Sequence, residues 1–359
     1  MDLASICRAA VLAGASDIHL KVGTAPMMRL HGSIAPIGNL PAVNQDELGR
    51  ALWDVMNPTQ RERFKTTNEC DLAYTFPGVA RFRINAFRQQ GKIGAVLRAI
   101  PTNVRSVDEL KLPPVLKTMA GESRGLILVT GATGSGKSTT LAAMIEEINR
   151  TEPCHILTIE DPVEFQFADK KSIVNQREVG VDALNFNAAL RAALRQDPDV
   201  ILIGELRDLE TVEIAMSAAE TGHLVLGTLH TVDAHETINR IVGFFEPHHQ
   251  QQIRLMLGSV LRGVVSQRLV PAAKGGRVAA LEIMINTGTI YECIVDAKRT
   301  REIRDYMRKG RATYQTQTFD QHLFALVGEG RVTQDEALKY ANNPDELALR
   351  LSGMGADDD

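Results

Sequence analysis

Aromatic residues are scarce in this sequence of 359 residues: they make up 5%, with a single tryptophan, Trp53. Charge of one sign is also lacking, because 40 lysines and arginines stand against 44 aspartates and glutamates, a net charge of −4. Nucleic-acid-binding proteins usually carry clustered positive charge, and proteins that bind single strands stack bases on aromatic rings. The composition therefore argues against a nucleic-acid partner.

Long hydrophobic runs are missing as well. No stretch of 18 or more apolar residues occurs, so the sequence predicts no membrane span. The short apolar stretch Ala9–Ala15 is soon followed by Asp17, and we interpret Leu3–Ala13 as an amphipathic helix rather than a signal peptide. The four cysteines form no CxxC pair and no disulfide framework, since they lie far apart, at Cys7, Cys70, Cys154 and Cys293. We expect a protein of the reducing cytoplasm.

Hydrophobic residues at 44% and charged residues at 23% are ordinary globular values, and the length suggests about two domains. Residues 1–100 predict a small α+β domain. Asp46–Met56 has the spacing of an amphipathic helix. Ala80–Arg88 and Lys92–Ile100 alternate between apolar and polar residues on either side of Gly91, which predicts a hairpin. A linker is expected over residues 101–112.

The sequence pattern changes at Gly125, and from there apolar strand-like runs alternate with helical segments. Such runs predict a parallel sheet with helices on both faces, and they comprise Leu126–Thr130, Thr139–Ile148, His155–Ile159, Val200–Ile203, Leu209–Glu220 and Leu224–Thr228. We assign residues 113–288 to this α/β domain. Residues 289–359 are predicted to be a helical C-terminal appendage that ends in an acidic tail.

A phosphate-binding loop is the strongest local signal. It matches GxxxxGK[ST], follows a strand-like run and precedes a helical segment, and its candidate binding residues are Gly131, Ala132, Thr133, Gly134, Ser135, Gly136, Lys137, Ser138 and Thr139. Glycines allow backbone N–H groups to turn towards phosphate oxygens, and the helix N-terminus adds positive charge. Lys137 is expected to reach the β- and γ-phosphates of ATP, and the Ser138 hydroxyl to ligate Mg²⁺.

A candidate general base follows the run Val200–Ile203. Such a run delivers an acid to the carboxyl edge of the sheet, beside the phosphate loop. Gly204 stands where the usual Walker B aspartate would be, so Glu205 remains as the carboxylate that would activate water. The alternative is a strand-end acid paired with Arg207.

Three further features have both a functional and a structural interpretation. The acids of Glu160–Glu164 would hold Mg²⁺ through water, or form a solvated turn. His230, at the end of another apolar run, would sense the γ-phosphate or orient the attacking water, or it would serve the structure alone. Arg83 and Arg98 lie on neighbouring strands of the predicted hairpin. They would act as arginine fingers or remain solvated cross-strand residues.

The order of these motifs resembles the secretion-ATPase superfamily, and within it the PilT/PilU-type retraction ATPases of type IV pili. The resemblance covers nearly the whole chain. It is carried by Gly14–Leu20, Gly131–Thr140, Thr158–Glu164, Asn175–Gly180, Leu194–Val200, Gly204–Asp208 and Thr221–Thr231.

The resemblance implies a cytoplasmic homohexameric ring in which a PAS-like N-terminal domain precedes a RecA-like motor domain. It implies an aspartate box containing Glu164, a Walker B glutamate at Glu205 and a histidine box at His230. Arg83 and Arg98 correspond to arginines that reach a nucleotide across a subunit boundary. ATP hydrolysis would act on an inner-membrane platform protein at the inner face of the cytoplasmic membrane, so that pilin subunits return to the membrane.

One segment departs from the family pattern. Thr289–Asp296 stands where retraction ATPases carry an AIRNLIRE-like helix, and it matches that helix poorly. The departure leaves an alternative function open, that of an accessory nucleotide-binding pilus ATPase without motor activity of its own, working with a second pilus ATPase. In contrast, Glu205–Thr211 looks more like PilT than PilU.

Overall fold

The computed structural model describes residues 1–30, 32–100 and 104–353. The chain divides into two units, Met1–Asn103 with Glu164–Gln166 and Val104–Val163 with Phe167–Asp359. Two predicted features lie outside the described residues, namely positions 101–103 of the linker and the acidic tail. Within the described ranges, no helix combines the length and apolar character needed to cross a bilayer.

The first unit is built on a six-stranded antiparallel sheet in the order β3-β2-β1-β6-β5-β4. Its strands are β1 (Asp17–Lys21), β2 (Met27–Leu30), β3 (Ser33–Pro36), β4 (Glu69–Phe76), β5 (Ala80–Gln89) and β6 (Lys92–Ile100). Its helices are α1 (Leu3–Leu12), α2 (Gln45–Val55) and α3 (Pro58–Thr67). The fold of residues 1–100 is therefore α+β, as the sequence predicts.

The predicted hairpin is formed by β5 and β6, and its register pairs Arg83 with Arg98. Strand alternation directs successive side chains to opposite faces of the sheet. Phe82 and Ile84 are therefore buried in the core of the unit, whereas Arg83 is exposed. Gly91 takes the positive φ of 73° that the turn requires.

The second unit contains a seven-stranded sheet. Its strands are β7 (Gly125–Thr130), β8 (His155–Glu160), β9 (Ile173–Glu178), β10 (Val200–Ile203), β11 (Leu224–Leu229), β12 (Leu261–Pro271) and β13 (Arg277–Ile285). The helices interspersed with these strands are α4 (Val115–Ala120), α5 (Lys137–Thr151), α6 (Phe186–Ala193), α7 (Leu209–Glu220), α8 (Ala234–Val242) and α9 (Gln250–Val260).

The strand order is β13-β12-β7-β11-β10-β8-β9, and every neighbouring pair is parallel except β12 with β13. Parallel strands buried on both faces read as continuous apolar runs. In β7, Leu126 and Leu128 belong to one hydrophobic cluster, and Ile127 and Val129 to another. This two-sided burial explains why the central strands are visible in the sequence.

The chain after Gly288 is helical, as predicted. It forms α10 (Gly288–Val295), a 3-10 turn (Thr300–Glu302), α11 (Ile303–Lys309), α12 (Arg311–Tyr314), α13 (Phe319–Gly328), α14 (Gln334–Tyr340) and α15 (Pro344–Leu351). Ile294 of α10 and Ile303 of α11 are buried in the main core. Phe319 of α13 packs in a smaller cluster with Val270 of β12. These helices thus form part of the body of the second unit.

Candidate active site

The predicted phosphate loop connects the buried strand β7 to the N-terminus of α5, the context that the motif requires. Gly131, Gly134 and Gly136 have φ values of 142°, 79° and 90°, conformations that L side chains rarely adopt. Space is restricted as well, because a Cβ at Gly131 would lie 2.4 Å from the carbonyl oxygen of Gln267. Glycine at the first position is therefore required both by conformation and by packing.

Two polar groups of the loop are held inside it. The buried Lys137 Nζ donates hydrogen bonds to the carbonyl oxygens of Gly131 at 2.8 Å and Ala132 at 3.1 Å. The Ser135 Oγ is buried and has no hydrogen-bond partner in the described part of the chain. A buried hydroxyl without a partner is costly. The loop therefore presents an ammonium group and a hydroxyl group, both of which suit phosphate oxygens.

Mg²⁺ with a phosphate group fits the start of α5. Ser138 is half-buried in the first turn of that helix. Mg²⁺ prefers oxygen ligands and is commonly bound through few protein groups together with substrate phosphates and water. The described residues contain no cluster of three or more histidine, cysteine or acidic side chains arranged for a metal ion. The half-buried Ser138 hydroxyl is the kind of single oxygen ligand that a nucleotide-bound Mg²⁺ uses.

Glu205 and His230 are brought together at the carboxyl edge of the sheet. Glu205 follows β10 and His230 follows β11, and these neighbouring strands are parallel. The Glu205 Oε1 lies 3.1 Å from the His230 Nε2, and its Oε2 accepts a hydrogen bond from the Arg207 Nε at 2.7 Å. Arg207 also lies 3.8 Å from the Asp161 carboxylate. The ion pair of Glu205 with Arg207, which is the structural alternative to a general base, is thus present together with the contact to His230.

The glycine in place of the usual Walker B aspartate lies at a tightly packed position. A Cβ at Gly204 would lie 3.2 Å from the Ile159 carbonyl oxygen and 3.3 Å from the Glu160 Cα. The Gly204 carbonyl also accepts a 2.5 Å hydrogen bond from the Thr228 hydroxyl. The backbone of β10 is thus closely packed against both neighbouring strands where it leaves the sheet, and Glu205 is the first acid after it.

The acidic segment after β8 is not a uniform cluster. Glu160 lies on the strand itself, and its Oε1 accepts hydrogen bonds from the Thr158 hydroxyl at 2.6 Å and the Gln176 amide at 3.3 Å. Asp161 is exposed near Arg207. Glu164 is also exposed, outside regular structure, and is grouped with the first unit. The predicted role of Glu164 stays a prediction.

Arg83 and Arg98 belong to the first unit and lie directly opposite each other. The Arg98 Nε donates a 2.8 Å hydrogen bond to Asp17, and the Arg83 Nη2 lies 4.0 Å from Asp71. Burial would raise the pKa of Asp17, but hydrogen bonds from Ser16 and Arg98 hold it below its ordinary value. Both arginines remain exposed on one face of the sheet. Acid partners therefore stabilise two adjacent cations that would otherwise repel each other.

A cavity of about 490 Å³ opens beside the phosphate loop, a size typical of small-molecule sites. Its walls include Gly131–Ser135 from the loop, and, from β12, β13 and α14, Leu269, Arg277 and Tyr340. None of these last three residues belongs to a motif. Sequence reasoning missed them because α14 and the β12–β13 pair reach the loop only through the fold.

Gln267 is another residue that sequence reasoning missed. It lies on β12, is 3% exposed, and contacts the phosphate loop through its side chain. Gln267 belongs to no motif, and β12 follows α9 without a turn that would mark where the strand begins. A buried glutamine is unusual, however, because burial of an amide requires hydrogen-bond partners.

The loop that contains His230 leads into α8, and a buried acid holds the start of that helix. Glu282 of β13 is 3% exposed, and its Oε1 accepts a 3.0 Å hydrogen bond from the Ala234 N–H at the start of α8. Burial raises the pKa of Glu282 to about 7, despite this hydrogen bond. A folded-state pKa above the unfolded value stabilises the fold at low pH, and this stabilisation is lost as the pH rises through about 7.

We expect Glu282→Gln to become more stable relative to the natural chain as the pH rises from 5 to 8, by on the order of 1–3 kcal/mol. Glutamine keeps the acceptor for Ala234 and does not ionise. Urea unfolding of both chains at several pH values measures the difference. Glu236→Gln, at an exposed acid in the first turn of α8 that accepts a hydrogen bond from the Val232 N–H, is the matched control. A stability difference for Glu282→Gln that does not change with pH would contradict the expectation.

Comparisons with known proteins agree with this architecture. Residues 71–347 match the family described as type II/IV secretion system protein. The chain is 46% identical over 347 residues to the type IV pilus retractation ATPase PilT of Pseudomonas aeruginosa, covering 97% of this chain and 100% of the relative. It is 40% identical over 361 residues to the type IV pilus ATPase PilU of the same organism, covering 100% of this chain and 93% of the relative.

A solved structure shares the fold at nearly full length. It is described as the crystal structure of the pilus retraction motor PilT with bound ADP, and it superposes with a TM-score of 0.90 at 44% identity. The alignment covers 97% of this chain and 99% of that structure. On these grounds the chain belongs to the type II/IV secretion system protein family, alongside the PilT and PilU ATPases.

Proposed function

We propose that this protein is an ATP-hydrolysing motor that retracts type IV pili and thereby drives twitching motility. The observation that carries the proposal is the 46% identity to a PilT retraction ATPase over 97% of the chain. The ADP in the related PilT structure supports a nucleotide as the ligand. In this proposal the phosphate loop binds the nucleotide, and the Glu205–His230 pair takes part in its hydrolysis.

The phosphate loop binds ATP. The backbone N–H groups of residues 131–139 and the N-terminus of α5 accommodate the phosphate oxygens. Lys137 compensates the charge of the β- and γ-phosphates, and the Ser135 hydroxyl gains a partner. Ser138 is the protein ligand of Mg²⁺, which supplies charge neutralisation at the transferred phosphoryl group when bound.

Glu205 is the general base. A carboxylate at the same carboxyl edge of the sheet as the phosphate loop orients a water molecule and accepts its proton as the γ-phosphate leaves. His230, whose Nε2 lies 3.1 Å from this carboxylate, orients it and senses the γ-phosphate. Glu164 contributes a further acid of the aspartate box.

The active assembly is a homohexamer in which Arg83 and Arg98 reach the nucleotide of a neighbouring copy. Their exposure on one sheet face supports this role, because an arginine finger must reach beyond its own chain. In this proposal the first unit is PAS-like and the second RecA-like. The antiparallel sheet of the first unit and the parallel sheet with a phosphate loop at its carboxyl edge support these assignments.

The ring works in the cytoplasm at the inner face of the cytoplasmic membrane, on an inner-membrane platform protein, and it has no nucleic-acid partner. Deletion of the gene in the source organism tests the function directly. We expect hyperpiliated cells that do not twitch, restored by the natural chain but not by Lys137→Ala. Cells without surface pili would instead indicate a role in pilus extension.

An accessory role is the second candidate, and the segment 289–296 favours it. In α10, Ile290, Cys293 and Ile294 are buried, and Tyr291 remains 37% exposed. An aromatic side chain therefore lies on the outer face of this helix, in a segment whose sequence matches AIRNLIRE poorly. The ATPase activity of the purified protein separates the candidates: turnover without a second pilus ATPase supports the motor, and turnover only in its presence supports the accessory role.

A further inference from the structure

Gln267 contacts the phosphate loop at both of its ends. Its backbone carbonyl oxygen would be 2.4 Å from a Cβ at Gly131, and its Nε2 would be 2.7 Å from a Cβ at Gly136. Two glycines of the motif therefore lie against this one residue. Because these two glycines have no side chain, the loop packs directly against β12.

The side-chain amide of Gln267 also bridges the loop to the helix that follows it. The Nε2 donates a 2.7 Å hydrogen bond to the Ser135 carbonyl oxygen, and the Oε1 accepts a 2.6 Å hydrogen bond from the Thr140 hydroxyl. All of these hydrogen-bonding groups are buried. Buried hydrogen bonds are lost only at a cost, because each partner is then left unsatisfied.

The neighbours of Gln267 on β12 explain why it is well placed to hold the loop. β12 pairs with β7, the strand that enters the loop, and Ser266 pairs with Thr130 in this register. The hydroxyl groups of Ser266 and Thr130 are 2.9 Å apart. On the other side, Arg268 donates hydrogen bonds to the Tyr340 carbonyl and to Asn342, at 2.7 Å each. The strand is thus fixed both to β7, which enters the loop, and to the end of α14 with the residues that follow it.

From these contacts we infer that Gln267 is a positioning residue of the nucleotide site, which holds the phosphate loop in its binding shape through Ser135 and Thr140. The loop presents backbone N–H groups, whose directions depend on the loop shape, so a rigid template increases phosphate affinity by reducing the ordering that binding requires. The inference rests on the proposed nucleotide binding at this loop.

Binding of a fluorescent ADP analogue to purified variants tests the inference. Gln267→Met keeps the length of the side chain and removes both hydrogen bonds. We expect about tenfold weaker ADP binding, since two buried hydrogen bonds are lost. Thr140→Val removes one of the two and should weaken binding less. Thr140→Ser keeps the hydroxyl and should bind like the natural chain.

A double-mutant cycle distinguishes positioning from general damage. If Gln267 acts partly through Thr140, Gln267→Met with Thr140→Val will bind ADP about as weakly as Gln267→Met alone. Ser266→Ala, which loses the buried hydroxyl pair with Thr130, is the control for disturbance of β12. We expect it to lower the melting temperature without weakening ADP binding.

The two possible failures give different results. If the natural chain does not bind the ADP analogue, the proposed nucleotide site is wrong. If the natural chain binds it and Lys137→Ala does not, while Gln267→Met binds as tightly as the natural chain, the inference about Gln267 alone is overturned. Equal losses of affinity in Gln267→Met and Ser266→Ala would also overturn it, because the effect would then belong to the strand and not to the amide.

Discussion

Glu205→Gln will lower kcat for ATP hydrolysis by about 10²–10⁴-fold, while ADP affinity remains close to that of the natural chain. Glutamine preserves the shape of the side chain but cannot accept the proton of the attacking water. Gly204 leaves no carboxylate at the usual Walker B position, and the next acid is Glu205, in contact with His230 and Arg207. Steady-state turnover and ADP-analogue binding on the same preparation measure the two quantities.

Arg207→Ala is the matched control for this prediction. Arg207 is exposed and touches the same carboxylate, so its removal disturbs the local charge and leaves the proposed base, Glu205, in place. We expect a change in turnover well below that of Glu205→Gln. Near-normal hydrolysis by Glu205→Gln would exclude Glu205 as the base and direct attention to Glu160, the acid at the end of the adjacent strand β8.

The elements that hold the site differ in how visible they are in the sequence. The strands β7, β8, β10 and β11 are predictable because both faces are buried and the apolar runs are unbroken. The edge strand β9 has exposed and half-buried positions over most of its length, and its polar sequence resembles a loop. Unbroken apolar runs thus identify the central strands of a sheet more readily than its edge strands.

The site residues divide in the same way. A phosphate loop is local, since eight consecutive residues bring its groups together, and strand ends such as Glu205 and His230 follow from the parallel topology. Gln267 and Tyr340 are remote in sequence, and they reach the loop only because β12 pairs with β7 and α14 packs against β12. No spacing rule connects them to the motif. A contact between distant segments becomes visible only when the sheet order is known.

Arg83→Ala will lower ATP turnover by about 10³–10⁵-fold if this arginine serves the nucleotide of a neighbouring copy. The substitution should cost little stability, because Arg83 is exposed and its nearest acid, Asp71, is 4.0 Å away. Arg63→Ala, at an exposed arginine of α3 in the same unit, is the control and should hydrolyse ATP normally. ATPase assays at a protein concentration that maintains the assembly measure both.

Mixing the two inactive chains tests whether Arg83 acts between copies. A site in an Arg83→Ala subunit retains Glu205, and an adjacent Glu205→Gln subunit can supply the missing arginine. In head-to-tail rings formed from equal amounts of both chains, about one site in four would then be complete. We therefore expect activity to return after the subunits are dissociated, mixed and reassembled. If Arg83 served its own nucleotide, no mixed site would hold both groups, and the mixture would stay as inactive as its parts.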